Sequence, residues 1–321
     1  MGIFEGSRVF ITGGAGFIGG NMAEELLSRN SEVTVYDNLS LPSINFVNKI
    51  GKLKNLKFVK GDLLNKEKLE AAMKEAEPEI VIHLSANADI RKGLQDTSLD
   101  LKEGTLATYN VLDAMRQSTP NSILFASSSV VYGKASIKPT PESYGPLKPI
   151  SLYGAAKLAA EGLISSYESL FGIRGYIFRF ANIVGNNQTH GVIVDFINKL
   201  KKDKSKLEVL GNGKQKKSYM DVDDCINAML FIYEKEKKGI TINLATDGQT
   251  EVEFIAKEVI RKMNLNAQIV YTGTEQGWPG DLADTWLSNA LMKNFGVKLK
   301  YPTSNEALTH AIDILIEGRQ Q

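Results

Sequence analysis

Val9-Phe10-Ile11-Thr12-Gly13-Gly14-Ala15-Gly16-Phe17-Ile18-Gly19 decides the fold. An apolar strand runs into a turn with glycines at 13, 16 and 19, and a helix of apolar periodicity follows. Missing side chains allow the tight turn, let a pyrophosphate approach the backbone, and let the helix pack close to the sheet. The helix start offers unpaired N–H groups and a partial positive charge to phosphates. Gly13, Gly16, Phe17 and Ile18 are therefore candidate cofactor contacts. Asp37 ends the next strand, 18 residues after Gly19. A carboxylate there accepts hydrogen bonds from an adenosine ribose and repels a 2′-phosphate, so NAD is expected over NADP, with Asn38 alongside.

Outward from this turn, β-branched and aromatic runs alternate with helical patterns. Strands are expected at Arg8–Thr12, Val33–Asp37, Leu56–Lys60, Ile80–Ser85, Ser122–Ser127 and Gly175–Phe180. Helices are expected near Phe17–Arg29, Lys66–Ala76, Leu99–Gln117 and Ser151–Phe171. Strands apolar nearly throughout suit a sheet covered on both faces. The expected fold class is α/β: a doubly wound parallel (Rossmann) sheet with a smaller C-terminal α/β substrate domain, ligands lying beyond the strands' C-terminal ends. Residues 1–181 read as the NAD-binding domain and 182–321 as mainly the second-ligand domain. A segment near 218–246, with the apolar run Ile240–Ala245, returns to the main sheet.

The 321 residues are 43% hydrophobic and 23% charged, which suits one large or two moderate folded domains rather than disorder. Thirty-eight basic against 37 acidic residues argue against duplex binding and against a polybasic membrane protein. Cys225 alone excludes an intrachain disulfide, and His83, His190 and His310 have no metal-ligand spacing. No apolar run approaches the ~20 residues of a membrane span, and Met1–Gly6 lacks the pattern of a signal peptide. A cytoplasmic protein without membrane or nucleic-acid partner is expected. Eight lysines between Lys199 and Lys217 read as a solvated face.

Chemistry should follow the strand ends. Asp62, with Leu63, follows the third strand; its carboxylate suits either the adenine amino group or a helix N-cap. Leu84, Ser85 and Ala86 are small or slender, as needed where backbone lies near a flat cofactor, and His83 reads as a core histidine. After the fifth strand comes Ser127-Ser128-Ser129-Val130-Val131-Tyr132-Gly133, then Tyr153-Gly154-Ala155-Ala156-Lys157. Tyr153 and Lys157, at i and i+4, share a helical face. An ammonium there would lower the phenol's pKa and fit it to act as a base, and would also reach the nicotinamide ribose.

With these motifs in this order, the chain resembles the extended short-chain dehydrogenase/reductase family, in its nucleotide-sugar 4-epimerase group. The resemblance continues through Arg179-Phe180-Ala181-Asn182, Gly211–Gln215, Val222-Asp223-Asp224 and Gly280-Asp281. It implies that Ser128, Tyr153 and Lys157 are catalytic, that Asn182 binds the nucleotide diphosphate and that Asp281 binds its ribose. Val192, Lys217, Tyr219 and Thr285 join the implied substrate set, and no metal is implied. The implied partners are a UDP-sugar and a second copy of the chain. The helices near Leu99–Gln117 and Ser151–Phe171 would form the homodimer interface, with Leu106, Leu112, Leu158, Leu163 and Tyr167 available to it.

There are departures from the family pattern. Lys217 stands where an arginine is usual, Trp278 where another is usual, and Leu101-Lys102 where Asn-Val is usual. The family's 4,6-dehydratases carry Asp-Glu after the catalytic Ser/Thr, whereas Ser129 and Val130 stand here. Valine cannot move protons, so the expected reaction is NAD-dependent 4-epimerisation of a UDP-hexose through a 4-keto intermediate. The alternatives are a related oxidoreductase or dehydratase and a non-catalytic NAD-sensing regulator. Thr285, four beyond Asp281, takes the place of a tyrosine that in the resembled group restricts the sugar pocket. Its small size leaves room for a 2-acetamido group, unless Trp286 refills it.

Overall fold

In a computed structural model of the chain, Val9 and Ile11 pack on one face of the first strand and Phe10 on the other, all at most 1% exposed. The structure describes residues 2–41, 43–87, 89–118, 120–273 and 280–318; Trp278 and Pro279 lie outside the described residues. The first half of the chain runs β1 (Arg8–Thr12), α1 (Phe17–Ser28), β2 (Glu32–Asp37), α2 (Ile44–Val47), β3 (Leu56–Lys60), α3 (Lys66–Ala76) and β4 (Ile80–His83). A π-helical turn (Leu101–Leu106) then leads into α4 (Ala107–Arg116), β5 (Ser122–Ser128), a 3₁₀ turn (Ser129–Tyr132), α5 (Leu152–Phe171) and β6 (Arg174–Phe180). Next come β7 (Asn182–Val184), α6 (Val192–Lys202), β8 (Lys206–Val209), β9 (Lys216–Lys217), β10 (Tyr219–Asp221), α7 (Val222–Lys235) and β11 (Ile240–Leu244). Last are β12 (Thr250–Glu251), α8 (Val252–Lys262), β13 (Gln268–Tyr271), β14 (Asp284–Thr285), α9 (Ala290–Asn294) and α10 (Ser304–Glu317).

Seven parallel strands form the main sheet in the order β11-β6-β5-β4-β1-β2-β3. The fold is the doubly wound Rossmann arrangement, and β11 is the returning strand. Met22 and Leu26 of α1 cover one face together with α7, and Leu69, Val111, Leu112 and Ile164 of α3, α4 and α5 cover the other. Burial on both faces is why these strands read as unbroken apolar runs. Chain order reverses between β1 and β4, which opens a crevice at their C-terminal ends. A third cluster, with Ile193, Phe196, Ile255 and Leu308, joins α6, α8 and α10 to β8 and β10. Among the described residues no helix is long and apolar enough to cross a membrane.

Two expected elements differ. The helix expected over 99–117 is a π-helical turn followed by a shorter α-helix. Thr108 Oγ1 donates to the Gly104 carbonyl at 2.6 Å, and a Cβ at Gly104 would lie 2.8 Å from Ala156 Cβ. Side-chain competition for the backbone and close contact with α5 thus occur where the helix widens. The strand expected to reach Ser85 ends at His83. Beyond it the Ser85 backbone lies against the glycine turn, where a Cβ at Gly13 would come within 2.8 Å of Ser85 Cα.

Candidate active site

The crevice has a wall made of backbone. Gly13 has φ +68°, a conformation L side chains rarely adopt, and a Cβ at Gly19 would lie 2.2 Å from the Gly13 carbonyl oxygen. Gly16 is the N-cap of α1 and gives no side-chain cap, and no acidic residue stands in the first turn. The helix therefore presents its first N–H groups without a side-chain acceptor, which fits a diphosphate. Asp37 accepts from Ala15 N at 3.0 Å and Leu39 N at 2.7 Å. Burial pushes its carboxyl up, while those two amides pull it back. Each carboxylate oxygen keeps a lone pair for a ribose hydroxyl. The residues present fit an NAD molecule.

Phe17 is buried; Ile18, Leu84, Ser85 and Ala86 are half-buried along the crevice; and Asn38 is exposed, donating to Asp62 Oδ2 at 3.2 Å. Asp62 is not the cap of α3. Its Oδ1 accepts from Leu64 N two residues on, while Asn65 caps the helix by accepting from Lys68 N. Leu63 is buried and its carbonyl accepts from Asn110 Nδ2 at 2.8 Å. His83 is fully buried between Thr12 Oγ1 at 2.6 Å and Thr108 Oγ1 at 3.0 Å. Burial and nearby Lys157 push its pKa down to about 3, so the ring is neutral.

At the end of β5, Ser128 is half-buried and its Oγ accepts from Val130 N. Ser151 caps α5, which sets Tyr153 and Lys157 on one face of its first turns. Lys157 is 3% exposed; its Nζ donates to Ala126 O at 2.6 Å and lies 5.7 Å from the Tyr153 ring centroid. Burial lowers the ammonium's pKa to about 8, against the opposing pull of Glu161 and Asp100. The expected lowering of the Tyr153 pKa does not hold. Burial, and then the negative charge of Asp100, push that phenol well up. Lys157 Nζ donates to a carbonyl, and desolvation of a phenolate outweighs an ammonium at that distance.

The sugar end is gathered from separate segments. Asn182 stands opposite Tyr219 in the β7–β10 pair, and its Nδ2 donates to Ser218 O. Thr285 stands opposite Lys217 in the β14–β9 pair. Lys217 Nζ lies 2.7 Å from Asp281 Oδ1, with only 15% and 4% of the side chains exposed, so its charge is already matched by a protein carboxylate. Tyr219 is 4% exposed and its ring packs in the cluster of α6, α8 and α10; Val192, half-buried, begins α6 against the same cluster. A Cβ at Gly280 would lie 3.5 Å from the Ile150 carbonyl, which brings the Asp281 segment to the start of α5.

Composition and motif reading missed Asp100 and Glu161. Asp100, buried at 2%, receives Asn87 Nδ2 at 3.0 Å and acts electrostatically on both Tyr153 and Lys157. No local pattern marks it. Glu161 continues the four-residue spacing of Tyr153 and Lys157, which was a usable signal.

The family model described as "NAD dependent epimerase/dehydratase family" matches residues 9–245. The chain belongs to that family. NAD is its cofactor, and its place in the extended short-chain dehydrogenase/reductases is thereby established. A putative UDP-glucose 4-epimerase of Methanocaldococcus jannaschii is 30% identical over 274 residues, covering 84% of this chain and 87% of that one. A dTDP-D-glucose 4,6-dehydratase of Dictyostelium discoideum is 32% identical over 267 residues, 79% of this chain and 61% of that one. A solved UDP-glucose 4-epimerase of Thermus thermophilus, in complex with NAD, superposes with a TM-score of 0.86 at 29% identity, covering 96% of this chain and 99% of that one. This family member is thus an NAD-dependent nucleotide-sugar enzyme of the epimerase/dehydratase type.

Proposed function

We propose that this enzyme interconverts UDP-hexoses at C4 through a 4-keto intermediate. The observation that carries the reading is local. Tyr153 and Lys157 share the inner face of α5 beside the strand end that bears Ser128, and the next two positions, Ser129 and Val130, bring no carboxylate there. Elimination of water in the manner of the family's dehydratases would need an acid and a base at those positions. Bound NAD supplies hydride acceptance and return. Tyr153 takes the proton of the C4 hydroxyl and later gives it back, while Ser128 Oγ holds the C4 oxygen. A phenol pushed up by burial and by Asp100 needs positive charge beside it to serve as a base, and Lys157 is the resident cation. Asn182, Lys217 and Asp281 anchor the nucleotide, leaving the hexose to turn.

On this reading, residues 1–181 with the returning segment near 218–246 form the cofactor domain, and 182–321 form mainly the nucleotide-sugar domain. We also assign a two-fold homodimer to the outer faces of α4 and α5. Leu106, Tyr109, Leu170 and Phe171 stand exposed there at 38–71%, whereas Leu112 is fully buried under the sheet and is withdrawn from that surface. A monomeric mass by light scattering at micromolar concentration refutes the dimer.

The deciding experiment incubates the purified enzyme with UDP-glucose, UDP-galactose, their N-acetyl forms and dTDP-glucose, and reads products by NMR. C4 epimers without added cofactor are expected. A 4-keto-6-deoxy product, or turnover only with added reduced dinucleotide, overturns the reading.

A further inference from the structure

Two consecutive residues at the end of β5 are tied to α5 one helical turn apart. Ala126 O accepts from Lys157 Nζ at 2.6 Å, and Ser127 Oγ donates to Glu161 Oε1 at 2.5 Å. The next residue is Ser128. Arg179 of β6 grips Glu161 with two prongs, Nε to Oε1 at 3.0 Å and Nη2 to Oε2 at 2.7 Å. Its Nη1 donates to the Tyr132 hydroxyl at 3.0 Å, and Tyr132 ends the 3₁₀ turn that Ser128 caps. The Tyr132 hydroxyl in turn donates to Asn243 Oδ1 at 2.7 Å, and Asn243 Nδ2 donates to Thr140 O and Ser288 O, close to Thr285.

Both charged side chains are 7% exposed. A buried ion pair is a poor source of stability, since apolar residues of the same volume often do as well or better. What this bidentate pair adds is directional constraint on its neighbours, and its neighbours are the two ends of the serine turn. We propose that Glu161 and Arg179 are positioning residues, clamping both ends of the Ser128–Tyr132 turn so that Ser128 is held in register with Tyr153 and Lys157. The kinetic consequence rests on the 4-epimerase reading; the clamp itself rests on geometry.

Glu161 also bears on the charge of Lys157. That ammonium is faced by Tyr153 and Glu161 from α5, by Asp100 from the segment before the π turn, and by neutral His83 from β4. Glu161 and Asp100 favour its protonated form against burial. Removing the Glu161 charge therefore moves the Lys157 titration to lower pH, which loss of packing alone would not do.

The test compares wild type with Glu161→Gln, Glu161→Asp and Ser127→Ala. Thermal stability, NAD binding, UDP-galactose kinetics across pH and a ¹³Cε-lysine NMR titration of Lys157 are measured for each. Folded Glu161→Gln should lose about 10- to 100-fold in kcat with KM within about threefold. Its Lys157 midpoint should fall by about half a pH unit or more, and the basic limb of kcat should move with it. Glu161→Asp keeps the charge but not the reach, so its midpoint should stay while kcat falls. Ser127→Ala unpairs no charge and should lose about 3- to 10-fold in kcat at unchanged KM. Wild-type kcat in folded Glu161→Gln overturns the proposal, whatever the Lys157 midpoint. Should that variant fail to fold, wild-type kcat in Ser127→Ala overturns it instead. A wild type inactive on every UDP-hexose refutes the 4-epimerase reading. The clamp is then decided by the backbone amide NMR shifts of Ser128–Tyr132 in Glu161→Gln, which should move if the turn is held by this pair and overturn the clamp if they stay at their wild-type positions.

Discussion

The two ends of the crevice are built differently. At the cofactor end, the wall is backbone: Gly13, Gly16 and Gly19, the open start of α1, and Asp37 held by the amides of Ala15 and Leu39. All of it comes from one β-α-β stretch. At the catalytic and sugar end, the wall is side chains brought from far apart. Lys217 and Asp281 pair across 64 positions, Tyr132 and Asn243 across 111. A site made of absent side chains tolerates no additions, whereas a site made of paired side chains fails when one partner loses its charge or reach. The first kind suits a cofactor common to a whole family, the second a substrate that differs between members.

His83 lies where the two ends meet, between Thr12 and Thr108, and gives the largest expected effect. Its folded pKa of about 3 is below the unfolded value of 6.5, so the unfolded chain binds the extra proton between those limits. Its contribution is complete above the unfolded value and lost as pH falls through that window, on the order of several kcal/mol in all. Denaturant unfolding across this range, in wild type and His83→Asn, should show a shallower acid loss in the variant. Equal slopes would mean that His83 is not held neutral.

The catalytic end should fail by chemistry. Tyr153→Phe is expected to lose at least ~10²-fold in turnover while keeping NAD and UDP-sugar affinity, as measured by calorimetry and initial rates. Near-normal turnover removes Tyr153 from the mechanism. The cofactor end should fail by geometry. Gly19→Ala forces a Cβ against a carbonyl and should cost about 1–3 kcal/mol, seen as weaker NAD binding or a lower Tm. A variant with both unchanged would break the contrast between the two ends.

Smaller effects sharpen it. Asp37→Ala should weaken NAD binding and narrow its preference over NADP by about tenfold, because charged hydrogen bonds to the ribose are lost along with repulsion of the phosphate. Equal affinity of wild type for both dinucleotides contradicts this. Thr285→Tyr should depress turnover of the N-acetyl sugars relative to UDP-glucose and UDP-galactose by about tenfold. An equal effect on both pairs means that position 285 does not gate the pocket.

Sequence alone determined the sheet and its cofactor crevice. Apolar strands, glycine spacing and Asp37 are all properties of neighbouring residues, and neighbours in a strand-turn-helix unit are fixed by backbone geometry. The Tyr153–Lys157 spacing was legible for the same reason, since a helix sets which residues share a face. Tertiary structure decided what those residues experience. It set Gly104 against Ala156 where the helix widens, matched Lys217 with Asp281, and raised the Tyr153 pKa through burial and Asp100. It also tied Glu161 and Arg179 to the serine turn. Desolvation and ion pairing depend on which distant segments close over a group, and that information is set only when the chain packs.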